Sequence, residues 1–332
     1  MMTAGVIGRQ GGCNVLLAVV CSSIAFANFN AAWAENWPSR AMRVIVPFGA
    51  GSAADVVPRI VFDQVSKQVG QPTVVENRVG AGGTIGANIV AKAPPDGYTI
   101  LVTGALPAAH ALYPTLPYAT LRDFVPVIPL GRQPLVLVTA PSKGYKTLGD
   151  LIVAAKSKPG SLNYASAGLG SPTHLAAERL RMSAGFEGQH IPFKGSPEAL
   201  TEVLASRADF YLSPVAPALP LINDGKLIAL AVSTPKRAAA LPQVPTMAEA
   251  GLIDAAYDFW VGVYLPAKSP PHVVLSLYKE AASASQVDSV SRSLAKLGVE
   301  PIPMSQHEFE VYFRKNVESN VTLVKAANVP AP

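Results

Sequence analysis

The sequence is poor in cysteine and in charged residues. Only two cysteines occur in 332 residues, Cys13 and Cys21, and both lie near the N-terminus. A mature chain without that segment cannot form an intramolecular disulfide. Charged residues make up 15% of the chain and apolar residues 49%, a balance that excludes an intrinsically disordered protein. The length and composition therefore predict two folded lobes with apolar cores.

Basic clusters, metal-binding spacings and serine-nucleophile motifs are also missing. The formal net charge is only +5 without a Lys/Arg cluster, so nucleic acid is not expected as a partner. The five histidines show neither H-x-x-x-H nor H-x-H spacing, which leaves a zinc site unsupported. Ser166 lacks the first glycine of a G-x-S-x-G elbow, because Tyr164 occupies that position. We therefore expect no metal site and no catalytic residue.

The longest mainly apolar run lies at the N-terminus. Arg9 precedes an apolar stretch at residues 15–27 that is too short to span a bilayer, and an A-x-A cleavage site ends at Ala34. We expect a signal peptide over residues 1–34 and a soluble, periplasmic product. A lipid anchor on Cys21 is the alternative, which bulky Val20 disfavours because a small residue is expected there.

Beyond residue 35, short β-branched runs alternate with longer helical patterns. Strands are predicted at residues 43–48, 73–75, 98–103, 162–165, 190–193, 209–212 and 227–232. Helices are predicted at residues 55–69, 84–92, 148–158, 173–184, 197–207, 271–285, 288–297 and 306–327. Repeated β-α-β alternation predicts an α/β protein with mainly parallel sheets flanked by helices.

Two extended segments do not fit a single continuous sheet. Residues 125–140 and residues 259–266 are long extended runs, which suit crossover strands between two lobes. We predict lobe 1 at residues 35–135 and 260–332, and lobe 2 at residues 136–259. A ligand cleft is expected between the lobes, where strand C-terminal ends and helix N-termini face each other.

Two turns rich in glycine and serine follow predicted strands and open predicted helices. The first turn contains Gly49, Ala50, Gly51, Ser52, Ala53 and Asp55, and the second contains Ser166, Gly168, Gly170, Ser171 and Thr173. Small residues leave backbone N–H groups accessible at a helix N-terminus, where the partial positive charge favours a carboxylate or a phosphate. Taken alone, each turn could also be a tight connection that binds nothing. Together, the two turns could close on one small acid from both sides.

Three further features lie next to these turns. A third Gly-rich turn contains Gly83 and Thr84 and either caps the site or is a simple loop. His174 follows the second turn and either donates a hydrogen bond to a ligand or caps a helix. Phe48 precedes the first turn and is either a stacking surface for a ligand or a core residue.

The first turn also fits a dinucleotide-binding fingerprint, G-x-G-x-x-A, formed by Gly49, Gly51 and Ala54. Glu76 follows the next strand, where a ribose-binding acid would lie. An exported α/β enzyme is therefore the alternative function. Glu76 lies farther along the chain than such an acid usually does, and an exported protein meets little nicotinamide cofactor. A structural or protein-binding module is a third class, which predicts no ligand-linked stabilisation.

Five segments carry a resemblance to a known family. They are residues 43–59 (RVIVPFGAGSAADVVPR), 71–97, 162–180 (LNYASAGLGSPTHLAAERL), 190–199 (HIPFKGSPEA) and 226–251. In order along the chain they resemble the substrate-binding proteins of tripartite tricarboxylate transporters, the TctC/Bug family. The resemblance implies a type II-like periplasmic-binding-protein fold, no enzymatic activity and no cofactor. It also implies capture of a small organic carboxylate for a two-component membrane permease, and we expect a monomer.

The anion-binding loops of that family fall on residues 47–55 and 168–175. Ser52 stands where the family usually has the second glycine of a Pro-Gly-Gly turn. Ser213 and its neighbours stand where many members end a strand with an acidic residue, and the missing acid argues for a plain carboxylate over an amino acid. The candidate ligand-binding residues are Phe48, Gly49, Ala50, Gly51, Ser52, Ala53, Asp55, Gly83, Thr84, Ser166, Gly168, Gly170, Ser171, Thr173, His174 and Ser213.

Overall fold

The computed structural model describes residues 1–5, 37–113 and 115–329. The apolar N-terminal run, the A-x-A site and both cysteines lie outside the described residues, so the predicted signal peptide remains a prediction. The chain divides into two units, Met1–Ser39 and Arg40–Pro332. The second unit carries every helix and strand described below.

Two five-stranded sheets form the framework of the second unit. The first sheet has the order β2-β1-β3-β10-β4 and consists of β1 (Met42–Val46), β2 (Thr73–Asn77), β3 (Thr99–Thr103), β4 (Phe124–Arg132) and β10 (Trp260–Pro266). The second sheet has the order β7-β6-β8-β5-β9 and consists of β5 (Leu135–Thr139), β6 (Leu162–Ser166), β7 (Gly188–Pro192), β8 (Phe210–Pro214) and β9 (Ile228–Val232).

Each sheet contains one strand that runs against the other four, β10 in the first and β5 in the second. Both are the strands that follow a crossover. A crossover leaves one sheet at the C-terminal ends of its strands and enters the other sheet from the same side, so the next strand runs in the reverse direction. The predicted α/β fold with two mainly parallel sheets is confirmed.

Ten α-helices flank the sheets within the described residues. They are α1 (Ala53–Val69), α2 (Thr84–Ala91), α3 (Leu106–Leu112), α4 (Leu148–Ser157), α5 (Pro172–Ala184), α6 (Ser196–Leu204), α7 (Val215–Asn223), α8 (Pro271–Gln286), α9 (Asp288–Lys296) and α10 (Gln306–Ala326). Helices α3 and α7 were not predicted, because they are short and apolar and contain proline, so neither shows a clear helical period. None of the described helices is both long enough and apolar enough to cross a membrane.

Each sheet has its own apolar core, and a smaller cluster joins the two. In the first core, Tyr264 packs on Phe309 and Phe313 with ring centroids 6.0 and 5.2 Å apart. The second core includes buried Tyr211 of β8. The smaller cluster includes Leu112 of α3 and brings helices of the first sheet against α5 of the second. The turns at the facing strand ends therefore lie in contact range of each other.

The two crossovers lie side by side and are joined by polar contacts. The backbone N–H of Gln133 donates to the carbonyl of Phe259 at 2.7 Å. The Arg132 guanidinium donates to both carboxylate oxygens of Asp258, at 2.5 and 3.2 Å. The hydroxyl of Tyr312 donates to the same carboxylate at 2.7 Å. These contacts fix the two crossovers relative to each other.

We predict that Asp258→Asn lowers the free energy of unfolding by about 1 kcal/mol, because Arg132 and Tyr312 lose a charged acceptor that is only partly screened by solvent. Urea unfolding measures the change. Asp63→Asn is the control, since Asp63 lies inside α1 and its ion pair with Lys67 is largely exposed, and we expect little change there. Equal stability of the Asp258 variant and the wild type would contradict the role of this contact.

Candidate functional site

Three helix N-termini meet at one cavity of about 30 Å³ between the two sheets. Its lining residues are Phe48, Ser52, Ala54, Gly104 and Phe259 from the first sheet's turns, and Ala167, Ser171, Pro172, Thr173, Ser196 and Pro214 from the second's. Helix α1 begins directly after Ser52, α5 directly after Ser171, and α6 at Ser196. The partial positive charges of these three helices act on the same small volume, which suits a bound anion.

The first turn is held from inside the protein by Asp55, which is 2% exposed. Its carboxylate accepts hydrogen bonds from the Gly51 N–H, from Arg59 Nε and from Asn77 Nδ2, at 2.8 to 2.9 Å. Asn77 also donates to the carbonyl of Phe48 at 2.8 Å. Burial alone would raise the pKa of Asp55, but these donors outweigh it and hold the pKa below its ordinary value. Asp55 therefore shapes the turn and does not line the cavity.

Ser52 is the polar side chain of the first turn that lines the cavity. It stands at the N-cap position of α1 but makes no side-chain capping bond, and it is 4% exposed. Its hydroxyl is buried without a hydrogen-bond partner. Because an unpaired buried hydroxyl lowers stability, this hydroxyl is available to bond to a water molecule or a ligand in the cavity.

The second turn is held by its own hydroxyl groups. Thr173 Oγ1 accepts from the Ala167 N–H at 2.9 Å and lies 3.0 Å from Ser171 Oγ. Ser171 also caps α5 by accepting from the His174 N–H at 3.3 Å. Gly170 has a φ of 75°, and a Cβ at this position would overlap Leu112 of the first sheet's α3. This turn is therefore rigid and contacts the opposite lobe directly.

A buried polar cluster lies beneath the second turn. Ser166 Oγ is 2.6 Å from His190 Nε2, and the His190 ring stacks on His174 with centroids 3.8 Å apart. His174 Nδ1 accepts from the Gly170 N–H at 3.1 Å. Burial lowers the pKa of His174 to about 4 and that of His190 to about 3. His190 is therefore a weak base, and Ser166, which is 0% exposed, does not line the cavity.

Glu178 lies 3.8 Å from His174 Nε2 and by itself would raise the pKa of that imidazole. Its carboxylate is already bound by the hydroxyl of Tyr164 and by the Arg181 guanidinium at 2.8 Å. Burial and the positive charge of Arg181 therefore outweigh the effect of Glu178 and lower the pKa of His174, so this imidazole is neutral near pH 7. The cluster positions the second turn.

The third turn abuts the second turn. A Cβ on Gly82 would overlap the carbonyl of Leu169, and the Thr84 hydroxyl donates to the Ala81 carbonyl at 2.9 Å. At the end of β8, the buried hydroxyl of Ser213 donates to the carbonyl of Pro214 at 2.9 Å. These polar groups have partners within the protein.

The structure brings part of the predicted site together. Phe48, Ser52, Ser171 and Thr173 line the cavity. Other predicted residues lie in the same turns but not in the lining, namely Gly49, Ala50, Gly51, Asp55, Ser166, Gly168, Gly170 and His174. Gly83, Thr84 and Ser213 also lie outside the lining, and Ala53 is the first residue of α1.

Most of the apolar residues that line the cavity, and one of its hydroxyl groups, were not predicted from the sequence. Ser196 is the first residue of α6 and follows the turn after β7, the same strand–turn–helix pattern that identified the other two turns. Gly104 directly follows β3, and Pro214 ends β8, so both occupy strand C-terminal ends. Ser196, Gly104 and Pro214 could therefore have been predicted from their positions at or after the ends of strands. Phe259 precedes β10, and no local pattern marked it.

A larger groove of about 570 Å³ flanks the crossovers and is lined by residues that include Arg132, Arg179 and Asn320. None of the predicted ligand-binding residues is among those that line it. In the described parts of the chain, no group of three or more His, Cys, Asp or Glu side chains is placed to hold a metal ion. Of these two cavities, the smaller one is therefore the one that predicted ligand-binding residues line.

The alternative function would use the carboxylate of Glu76 to bind a ribose, but this carboxylate already forms hydrogen bonds within the protein. Its carboxylate accepts from the Arg43 guanidinium at 2.8 Å and from that of Arg78 at 2.6 Å. The hydrogen bonds from Arg43 and then Arg78 lower the pKa of Glu76 to about 2. Glu76 of β2 therefore forms surface ion pairs with Arg43 of β1 and with Arg78.

Two lobes joined by two crossovers, with a cavity at the facing strand ends, define a solute-binding protein of the periplasmic-binding-protein class. The chain belongs to the tripartite tricarboxylate transporter family receptor (TctC) family, which matches residues 57–329. The predicted family membership is confirmed.

Known proteins are similar along most of the chain. BugT of Bordetella pertussis is 36% identical over 291 residues, which cover 86% of this chain and 89% of BugT. The R. palustris protein Rpa4515, solved with adipate, has a TM-score of 0.84 and 32% identity, covering 89% of this chain and 99% of its own. MatC of Rhodopseudomonas palustris, solved with bound malate, has a TM-score of 0.82 and 31% identity, and the match covers 87% of this chain and 100% of MatC.

We predict that the free energy of unfolding falls as the pH drops below about 6.5. The folded-state pKa values of His174 and His190 lie below the unfolded value, so the unfolded chain binds protons in this range that the folded chain does not. Each histidine contributes a slope of up to about 1.4 kcal/mol per pH unit until its folded pKa is reached. Urea unfolding at pH 7, 6 and 5 measures the slope.

The variant His190→Gln should have a shallower slope between pH 6.5 and 5, because one of the two imidazoles with a lowered pKa is removed. His272→Gln is the control, since His272 is exposed and should leave the slope unchanged. Identical slopes for His190→Gln and the wild type would show that the buried pair does not control the pH dependence.

Proposed function

We propose that the protein is a periplasmic solute-binding protein that captures a small organic carboxylate for the two-component membrane permease of a tripartite tricarboxylate transporter. The observation that carries the proposal is the unpartnered hydroxyl of Ser52 in a cavity where three helices begin. Helix N-termini supply N–H donors and partial positive charge without a titrating side chain. Such a site suits reversible binding of an anion.

The relatives support the carboxylate ligand and the transport role. Rpa4515 was solved with adipate and MatC with malate, and both ligands are organic carboxylates. The family is a family of transporter receptors. We extend both properties to this chain, because it belongs to the same family and shares the fold of both proteins.

The proposal includes the lobes and their movement. We place lobe 1 at residues 35–135 and 260–332, and lobe 2 at residues 136–259, with the boundaries at the crossovers. Each lobe contributes helix N-termini to the cavity, α1 from the first and α5 and α6 from the second. A ligand bound between them favours the closed arrangement. We also propose that the chain is exported, cleaved near Ala34, monomeric and without catalytic activity.

We predict that Ser196→Asp abolishes carboxylate binding, while Ser196→Asn retains it within about tenfold. Both side chains have nearly the same shape, but only aspartate places a negative charge where the ligand's charge must lie. Both variants replace the buried hydroxyl that bonds to Tyr211, so they share that loss, and an acidic residue at the start of α6 is favoured by the helix. Titration calorimetry against a panel of organic acids measures binding, and circular dichroism checks the fold.

Two outcomes would contradict the proposed site. If no organic acid binds the wild type, carboxylate capture is wrong. If the Ser196→Asp variant is folded and binds as tightly as the Ser196→Asn variant, the ligand lies elsewhere. Ser196 is preferred to Gly170 for this test, because a side chain at Gly170 would disturb the contact with Leu112 as well as the charge.

A further inference from the structure

We propose that Gly82 limits how closely the two lobes approach, and that its lack of a side chain determines ligand affinity although Gly82 does not line the cavity. The inference rests on the proposed function and concerns closure around the same cavity. It gives a role to the third Gly-rich turn, residues 80–83, for which the sequence pattern allowed either a cap on the site or a simple loop.

The backbone of the third turn has a positive φ at every residue. The φ angles of Gly80, Ala81, Gly82 and Gly83 are 137°, 45°, 59° and 99°. Ala81 is not a glycine, so its positive φ is strained, and such strain persists only where the surrounding structure holds the backbone in place. The Gly83 N–H donates to the Gly80 carbonyl at 3.0 Å, and the Thr84 hydroxyl donates to the Ala81 carbonyl. Hydrogen bonds within the turn therefore hold its shape.

Gly82 contacts the second turn, which belongs to the opposite lobe. A Cβ on Gly82 would overlap the carbonyl oxygen of Leu169 and would lie 2.6 Å from the hydroxyl of Tyr113. Leu169 precedes Ser171, which lines the cavity, by two residues. Because the Leu169 oxygen belongs to the main chain, it can move only if the second turn or its whole lobe moves.

Two further contacts join turns of the two lobes next to the cavity. A Cβ on Gly170 would overlap Leu112 Cδ1, which is the end of a side chain and not main chain. A Cβ on Gly49 would lie 3.7 Å from the carbonyl oxygen of Lys194, an ordinary van der Waals distance. Of these three contacts, the one at Gly82 therefore brings the main chains of the two lobes closest together.

A side chain at Gly82 would act on the closed arrangement of the lobes, in which the turns touch as they do in the structure. A methyl group there would force the lobes apart, because it overpacks the contact with Leu169. In an open arrangement the turns are separated, so the methyl group would meet only Tyr113 of its own lobe. The methyl group therefore disfavours the closed arrangement relative to the open one.

Closure and affinity are linked, because an acid held between the lobes binds the closed arrangement best. The apparent dissociation constant rises as the closed arrangement becomes less populated. The acid enters and leaves while the lobes are open. A less stable closed arrangement should therefore raise the dissociation rate more than it lowers the association rate.

The variant Gly82→Ala tests the proposal, and Gly70→Ala is its matched control. Gly70 also lies in the first lobe and has a φ of 65°, against 59° for Gly82, but a Cβ there would meet nothing within 4 Å. Both variants therefore carry similar backbone strain, and only Gly82→Ala disturbs the contact with Leu169. The probes are malate, adipate, succinate, butyrate, hexanoate and the wider panel of organic acids, and the comparison uses the acid that the wild type binds most tightly.

We expect Gly82→Ala to bind that acid about tenfold or more weaker than Gly70→Ala in titration calorimetry, mainly through faster dissociation in stopped-flow measurements. Small-angle X-ray scattering should show that the saturating acid contracts Gly70→Ala more than Gly82→Ala. Adding Tyr113→Phe to Gly82→Ala removes the hydroxyl that the methyl group meets within its own lobe. This double variant should bind as weakly as Gly82→Ala.

The outcomes separate this inference from the proposed function. Equal affinity of Gly82→Ala and Gly70→Ala, or recovery of binding on adding Tyr113→Phe, would overturn the inference and leave carboxylate capture intact. Loss of the fold in Gly82→Ala alone, measured by circular dichroism, would do the same, because the open arrangement should accept the methyl group. Binding of none of the acids to the wild type would overturn both.

Discussion

The pairing of the two crossovers is the constraint on which the site depends. Gln133 donates to the Phe259 carbonyl, and Arg132 binds Asp258, so both connections between the sheets leave from the same edge. Each sheet therefore presents its strand C-terminal ends to the other. The helices that follow β1, β6 and β7 begin at those ends, and their N-termini meet at the cavity. One topological feature thus concentrates the partial charges of three helices.

Some polar side chains of the turns around the cavity hold the backbone in place, and another faces the cavity. Asp55 and His174 point inward and accept backbone N–H groups of Gly51 and Gly170. Their hydrogen bonds fix the shape of each turn, and burial keeps His174 neutral. Ser52 differs, because its hydroxyl faces the cavity without a partner. This division explains how a site can be rigid without charged groups at the ligand.

The absence of charged side chains from the lining has a physical consequence. Helix N-termini attract an anion without a counter-ion whose own desolvation would offset part of the gain. Phe48 and Phe259 line the cavity on the side of the first sheet.

The sequence by itself determined the elements and the turns that follow the strands. Hydrophobic periodicity and turn residues are local properties, so the long helices and the short buried strands were predicted, whereas α3 and α7 have too few periodic residues. Tertiary structure decided which side chains reach the cavity. Asp55 and His174 were predicted to contact the ligand, and in the structure they bind the backbone of the turns. Ser196 and Phe259 line the cavity, although no sequence pattern had been used to predict them. Side-chain direction there depends on partners in distant segments, which no local pattern contains.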